Sequence, residues 1–332
     1  MPRYWVIFAL VAVLAFGAFS NAFAQQLRHD LVKQRGRVLC GVSGTTPGFS
    51  FLEAGQTVGF DADFCRAVAA WMNVPVEFVN LTSANRIPAV VAGTVDVVFR
   101  TTTQTSSRED QVKFGPVTFY DGQRLLVRKA AGIKGLADLS GKTVCVHAGT
   151  TSERNITDQL RARNIRFNLL TFSEAAQAFQ GLLAGRCDVF TTDASQLTAF
   201  RSTAPRPGDL EIVGETFGDE PLAPFYQNND AKWGRVVDWT VWGVILAEEL
   251  GITQADAKSP ARVTEIKAAN PQAKVLLEFA EGAMVRVLAA VGNYGEIYNR
   301  WFGPDAPTAI TREGSRNELA IGGGALTSRP FR

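Results

Sequence analysis

The chain is short of the residues that most metal and hydrolytic centres require. Its 332 residues include two histidines, three methionines and four cysteines. His29 and His147 do not fall at zinc-ligand spacing with any cysteine pair, so a metal centre is not expected. Gly322-Gly323-Gly324 lacks the lysine of a phosphate-binding loop, and GTTSE at 149–153 is not a nucleophile elbow. No cofactor is expected. Charge of one sign is lacking too: 34 Lys and Arg against 32 Asp and Glu leave +2, which is no footprint for nucleic acid. Past the first 24 residues, no apolar run is long enough to cross a bilayer.

What is present begins with those 24 residues. Arg3 supplies a positive start, Tyr4 to Phe19 is nearly all apolar, and Ala22-Phe23-Ala24 offers a small-x-small cleavage site. The pattern predicts a signal peptide over 1–24, cut before Gln25. An exported chain with four cysteines favours two disulfides, for which three connectivities exist. Cys40 and Cys65 lie in one early strand–helix segment, and Cys145 and Cys187 in later strand-like runs. Their placement predicts Cys40–Cys65 and Cys145–Cys187, one staple in each half.

Hydrophobic periodicity then gives a repeated α/β pattern. Val38–Val42, Val76–Val79 and Asp96–Phe99 read as strands. Between them lie a helix with Phe64, Val68, Trp71 and Met72 on one face, for which Asp61 is a candidate cap, and a short helix over 85–92. The pattern starts again with Arg124–Val127 and Thr143–Val146. Thr150 and Glu153 have capping-box spacing and predict a helix start. Phe167–Phe172 and Asp188–Thr191 read as strands around a helix over 174–184. Residues 217–226 read as a return crossing. The stripe from Trp233 to Val244 is a core helix. Residues 251–280 look like an insertion with a helix or two, and the tail from Gly303 carries weak signals.

The stretch Asp96–Arg108, DVVFRTTTQTSSR, concentrates the chemistry. A buried strand runs into a loop of hydroxyls that opens a helix and ends in Arg108. α/β sheets place ligands at such strand ends. Hydroxyls, free helix N–H groups and a guanidinium fork together suit a carboxylate.

Five blocks resemble the polar-amino-acid-binding proteins of ABC importers. They are GFDADFCRAVA (59–69), TSANRIP (82–88), TTTQTSSR (101–108), GTTSE (149–153) and GRCDVFTTD (185–193). AVGNYGEIYNRWFGP (290–304) and the four cysteine contexts resemble the general L-amino-acid-binding branch of that group. The resemblance implies a type II periplasmic binding protein fold, in which two α/β lobes are joined by two crossings near 120–123 and 220–226. Lobe 1 would comprise 25–121 plus 224–332, and lobe 2 would comprise 122–223. It implies a periplasmic monomer that carries an L-amino acid to a membrane permease and is not an enzyme.

Carried over by position, Arg108 pairs with the ligand α-carboxylate, with Thr101, Thr103, Thr150 and Thr151 on the loops that hold the same group. Asp193 accepts the α-ammonium. Ser83 and Arg86 read the side chain. The chain departs from glutamate/aspartate binders at Ser43, where they place an arginine, and at Ala175, where they place a histidine. It lacks the aromatic pair of basic-amino-acid binders, having Thr46 and Ser83 instead. Gln104 stands where the general branch commonly has tryptophan. Arg100 adds a second positive group near the loop. A polar, acidic or amide side chain is favoured. Two other uses of the scaffold stay open. One is an exported cyclohexadienyl or arogenate dehydratase, which needs an acid or base in the cleft. The other is a ligand-sensing module for a receptor. His147 is read as a strand-end residue bonded to backbone.

Overall fold

A computed structural model describes residues 27–332. The signal peptide read at 1–24 lies outside the described residues. Two five-stranded sheets form the framework. The first orders its strands β5 (Val76–Asn80), β1 (Val38–Val42), β6 (Val97–Val98), β13 (Phe225–Tyr226) and β7 (Lys113–Phe114). The second orders β10 (Asn168–Phe172), β9 (Thr143–His147), β11 (Val189–Asp193), β8 (Phe119–Arg128) and β12 (Leu210–Leu222). In each, three parallel strands carry the βαβ repeat and antiparallel strands complete the edge. A three-stranded antiparallel ribbon of β2 (Thr45–Thr46), β3 (Ser50–Glu53) and β4 (Gln56–Val58) hangs from the first sheet.

The central strands are apolar because helices cover both faces of a parallel sheet. Val38, Cys40 and Val42 are fully buried, as are Val144, Cys145 and Val146 in the second lobe. The helix Phe60–Met72 packs the predicted face, Phe64, Val68, Trp71 and Met72, into the first core. Its cap differs from the expectation. Gly59, not Asp61, is the N-cap, with φ of 126°. A Cβ there would lie 2.2 Å from the Phe49 carbonyl oxygen, so the turn needs glycine. Asp61 is thereby carried inside the helix and turned towards the ligand loop. The Thr150 cap forms as read: its side chain accepts from Glu153 N–H at 3.1 Å, and Glu153 accepts from Gly149 N–H at 2.9 Å.

Both predicted disulfides are present, Cys40–Cys65 and Cys145–Cys187. Each ties a central strand to the segment beside it within one lobe. Residues 251–280 form the helices Gln254–Lys258 and Pro260–Ala269, then the start of Pro271–Val291. That last helix breaks at Phe279–Gly282, where Ala280, Glu281 and Gly282 all take positive φ. The tail packs where sequence gave weak signals. Phe331 sits against Trp239 and Phe279 at 4.7 and 4.8 Å between ring centroids, and Arg329 lies over Trp242.

Two long strands join the lobes. β8 and β12 pair antiparallel along their length, with Tyr120 opposite Pro221 and Asp121 opposite Glu220. The register breaks between Val213 and Phe217 and between Phe217 and Asp219. Such breaks raise local twist and bend a ribbon. The strand ends of both sheets therefore meet across one cleft. Among the described residues, no helix is long and apolar enough to cross a membrane.

Candidate functional site

The loop after β6 is pinned along the end of β12. Gln104 N–H donates to the Pro221 carbonyl at 2.9 Å, and Ala223 N–H donates to Thr102 O at 3.0 Å. Thr101 takes a φ of 35°, unusual for a β-branched residue. Its N–H then donates to Asp61 at 3.2 Å. The one-turn helix Ser106–Glu109 follows and sends Arg108 inward. Arg108 is buried, with Nη1 donating to Thr103 O at 2.6 Å and Nη2 reaching Gly149 O of the other lobe at 3.5 Å. Both acceptors are neutral carbonyls. Loss of hydration pushes the guanidinium down to about 10, and the charges of Glu220 and Asp193 oppose that shift.

Asp193 ends β11 and is 4% exposed. Its Oδ2 accepts from the Gln196 side chain. Among the described residues it has no cation within ion-pair distance. Burial, then the nearby Glu220 and Asp121 carboxylates, push it well above the usual carboxylate range. Arg108 and Asp193 are thus a buried guanidinium and a buried carboxyl group within electrostatic reach of each other, neither in a direct ion pair among the described residues. A ligand bearing one anion and one cation would satisfy both.

The remaining expected residues divide by what already holds them. Arg86 is 2% exposed, and its Nη1 donates to Arg100 O at 3.2 Å and Thr101 O at 3.5 Å. Its Nε is buried without a partner. Ser83 Oγ accepts from Arg100 Nη1 at 2.8 Å. Thr150 is spent locally: it caps its helix and donates its hydroxyl to His147 O at 2.8 Å. Thr103 and Thr151 both donate to Glu220 Oε2, the second at 2.8 Å.

Two carboxylates, Glu220 and Glu174, were not expected at the site. Glu220, fully buried on β12, gathers Thr103 from one lobe and Thr151 and Asn155 from the other. Gly218 makes room for this: a Cβ there would lie 2.6 Å from Asn155 Nδ2. Arg100 crosses the cleft to Glu174 at 3.0 Å. Gly149 lies so near Ala84 that a Cβ would fall 3.1 Å from the alanine Cα. The lobes are therefore closed on one another. A local pattern cannot announce Glu174 or Glu220, because their partners stand 74 and 117 residues away. His147 ends β9 as expected, but its ring departs from expectation. Among the described residues it makes no hydrogen bond to backbone, and Nδ1 is buried unpartnered. Burial and the charges of Arg100 and Arg86 hold it well below its ordinary pKa, so the ring is neutral.

The sequence matches the bacterial extracellular solute-binding proteins, family 3, over residues 38–304. The chain belongs to this family. Relatives of similar length match the family 3 chain almost end to end. The general L-amino acid-binding periplasmic protein AapJ of Rhizobium johnstonii is 37% identical over 340 residues, covering 97% of this chain and 96% of that one. The glutamate/glutamine/aspartate/asparagine-binding protein BztA of Rhodobacter capsulatus is 36% identical over 341 residues, covering 98% and 97%. Among solved structures, an ABC transporter/periplasmic binding protein from Brucella ovis with glutathione bound superimposes with a TM-score of 0.84. It is 35% identical, and the match covers 92% of this chain and 99% of that one. The family 3 fold is the type II two-lobed one that the strand orders describe.

Proposed function

We propose that the protein is an extracytoplasmic carrier that closes on an L-amino acid with a polar, acidic or amide side chain and passes it to an ABC permease. In this reading the lobes divide at 25–121 plus 224–332 and 122–223, and a monomer does the work. One observation carries it: Arg108 and Asp193 are buried in the same cleft, and among the described residues neither has an ion-pair partner. A desolvated charge without a counter-ion is costly. The α-carboxylate and α-ammonium of one amino acid remove both costs together.

Arg108 takes the carboxylate by its fork, helped by the loop of Thr101 and Thr103 and by the helix start at Thr150 and Thr151. Asp193 takes the ammonium. Arg86 and Ser83 lie towards the side chain. The relatives' amino-acid ligands agree with this assignment. A dehydratase reading has less support, since the similar proteins are binding proteins, and Glu174 and Glu220 are already engaged by Arg100 and by Thr103, Thr151 and Asn155. A thermal-shift panel of the common L-amino acids, with glutathione added, tests the proposal, because a ligand of the folded state raises apparent stability. Polar, acidic or amide amino acids should stabilise the mature protein. Arg108→Ala and Asp193→Ala should each weaken binding by about a hundredfold or more while the protein stays folded. A panel with no stabilising amino acid would refute the proposal.

A further inference from the structure

Beyond the α-carboxylate and α-ammonium contacts, the cleft holds a second polar cluster with an uneven hydrogen-bond inventory. Arg86 contributes a buried Nε with nothing to donate to. His147 contributes a buried, neutral Nδ1 with no partner. Arg100 is anchored by Leu81 O at 2.5 Å and by Ser83 Oγ at 2.8 Å, and its remaining arm holds Glu174 Oε2 at 3.0 Å. Glu174 occupies the N-cap position of the helix Ala175–Leu183 but makes no capping bond. Its carboxylate has turned from its own helix to the arginine of the other lobe. Arg86 and Arg100 each act electrostatically on both His147 and Glu174.

The chemistry of this cluster is mixed. Arg86 can only donate. A neutral imidazole presents one donor and one acceptor, and which nitrogen is which follows the bond it is offered. A carboxylate can only accept. Arg100 and Glu174 cancel as a pair, so Arg86 is the one guanidinium of the cluster without a carboxylate on it. An acidic side chain meets Arg86. An amide side chain meets Arg86 through its oxygen and needs an acceptor for its NH2, which His147 and Glu174 can supply.

Resting on the amino-acid reading above, we infer that His147 and Glu174 complete a side-chain subsite that admits carboxamides as well as carboxylates, with Glu174 setting the balance between them. Neither residue was expected at the site. Glu174 holds down the preference for acids in two ways: it neutralises Arg100 and it repels a second carboxylate. Specificity here is a difference between two affinities, and a repulsive group is one means of setting it.

Calorimetric titration of the mature protein with L-glutamate, L-glutamine, L-aspartate and L-asparagine tests this, with Glu174→Gln beside the unmodified chain. The variant is nearly isosteric and removes one charge. The ratio of acid to amide affinity should rise by about tenfold, through tighter acid binding and weaker amide binding. A residue that only latches the lobes would change all four affinities by one factor, and that result would overturn the inference. His147→Leu is a second, independent variant, and it should weaken glutamine and glutamate binding by about tenfold each while leaving L-alanine, which has no polar side-chain group, bound as before. Unchanged affinities there would remove His147 from the subsite. If the unmodified chain binds none of the four, the parent reading falls and takes this one with it. If it binds them and neither variant moves its readout, this inference alone fails.

Discussion

At the scale of single residues, the site is a set of buried charges held short of full pairing. Among the described residues, Arg108 donates only to neutral carbonyls, and Asp193 accepts only from an amide. The blocks around them made both legible in the sequence, since each stands at a strand end followed by a helix. What the sequence could not carry was the set of partners. Thr103 and Thr151 read as members of the loops that hold the carboxylate, and their hydroxyl protons go to Glu220, a residue recognisable beforehand only as part of a crossing. Asp61 read as a cap and became an acceptor for the ligand loop, because Gly59 moved the helix start.

Protonation follows from the same burial. Asp61 and Asp121 are both pushed up to about 7, chiefly by lost hydration. The folded state therefore binds protons that an unfolded chain, with aspartate near 3.9, releases. Their contribution is full below the unfolded value and is lost as pH rises through about 7. Thermal unfolding of the unliganded protein should accordingly move to higher temperature as pH falls from 8 to 5. A midpoint that falls over this range would contradict the assignment. Ligand affinity should run the other way, because the ammonium needs Asp193 ionised and burial raises its pKa. Titrations in buffers of different ionisation enthalpy should detect proton release on binding.

At the scale of elements, the helices, the central strands and the crossings near 120–123 and 220–226 were legible, and the ribbon of β2 to β4 and the packing of the tail were not. Periodicity fixes which face of Phe60–Met72 is buried, and the capping pattern fixes the start of Thr151–Ala162. Residues 303–332 carry no periodicity, yet they cross the hinge. Asn317 bonds both the N–H and the carbonyl of Tyr120, at 2.7 and 2.8 Å, and Arg316 pairs with Asp219 at 2.6 Å. Such contacts are set by side chains far apart in the chain. Glu220→Ala leaves two hydroxyls and an amide without their acceptor in a buried site, and it should cost about 2–4 kcal/mol in denaturant unfolding. Cys145→Ser with Cys187→Ser opens a bridge spanning 42 residues and should cost about 2–5 kcal/mol. A loss under about 0.5 kcal/mol in either case would show the contact to be dispensable.

At the scale of the whole molecule, closure brings the charges together. Arg100 reaches Glu174, Arg108 reaches Gly149, and Ala84 lies against Gly149, each from one lobe to the other. A ligand that prefers this closed form shifts the population towards it. The two-lobed plan could be read from the repeated strand pattern. The degree of closure could not, since it is a property of contacts between halves that share no local sequence. The most direct test of the account is a crystal structure of the mature protein with its tightest-binding amino acid. The account predicts the ligand α-carboxylate on the Arg108 guanidinium and its α-ammonium on Asp193, inside a closed cleft. Ligand bound elsewhere, with those two side chains still unneutralised, would contradict it.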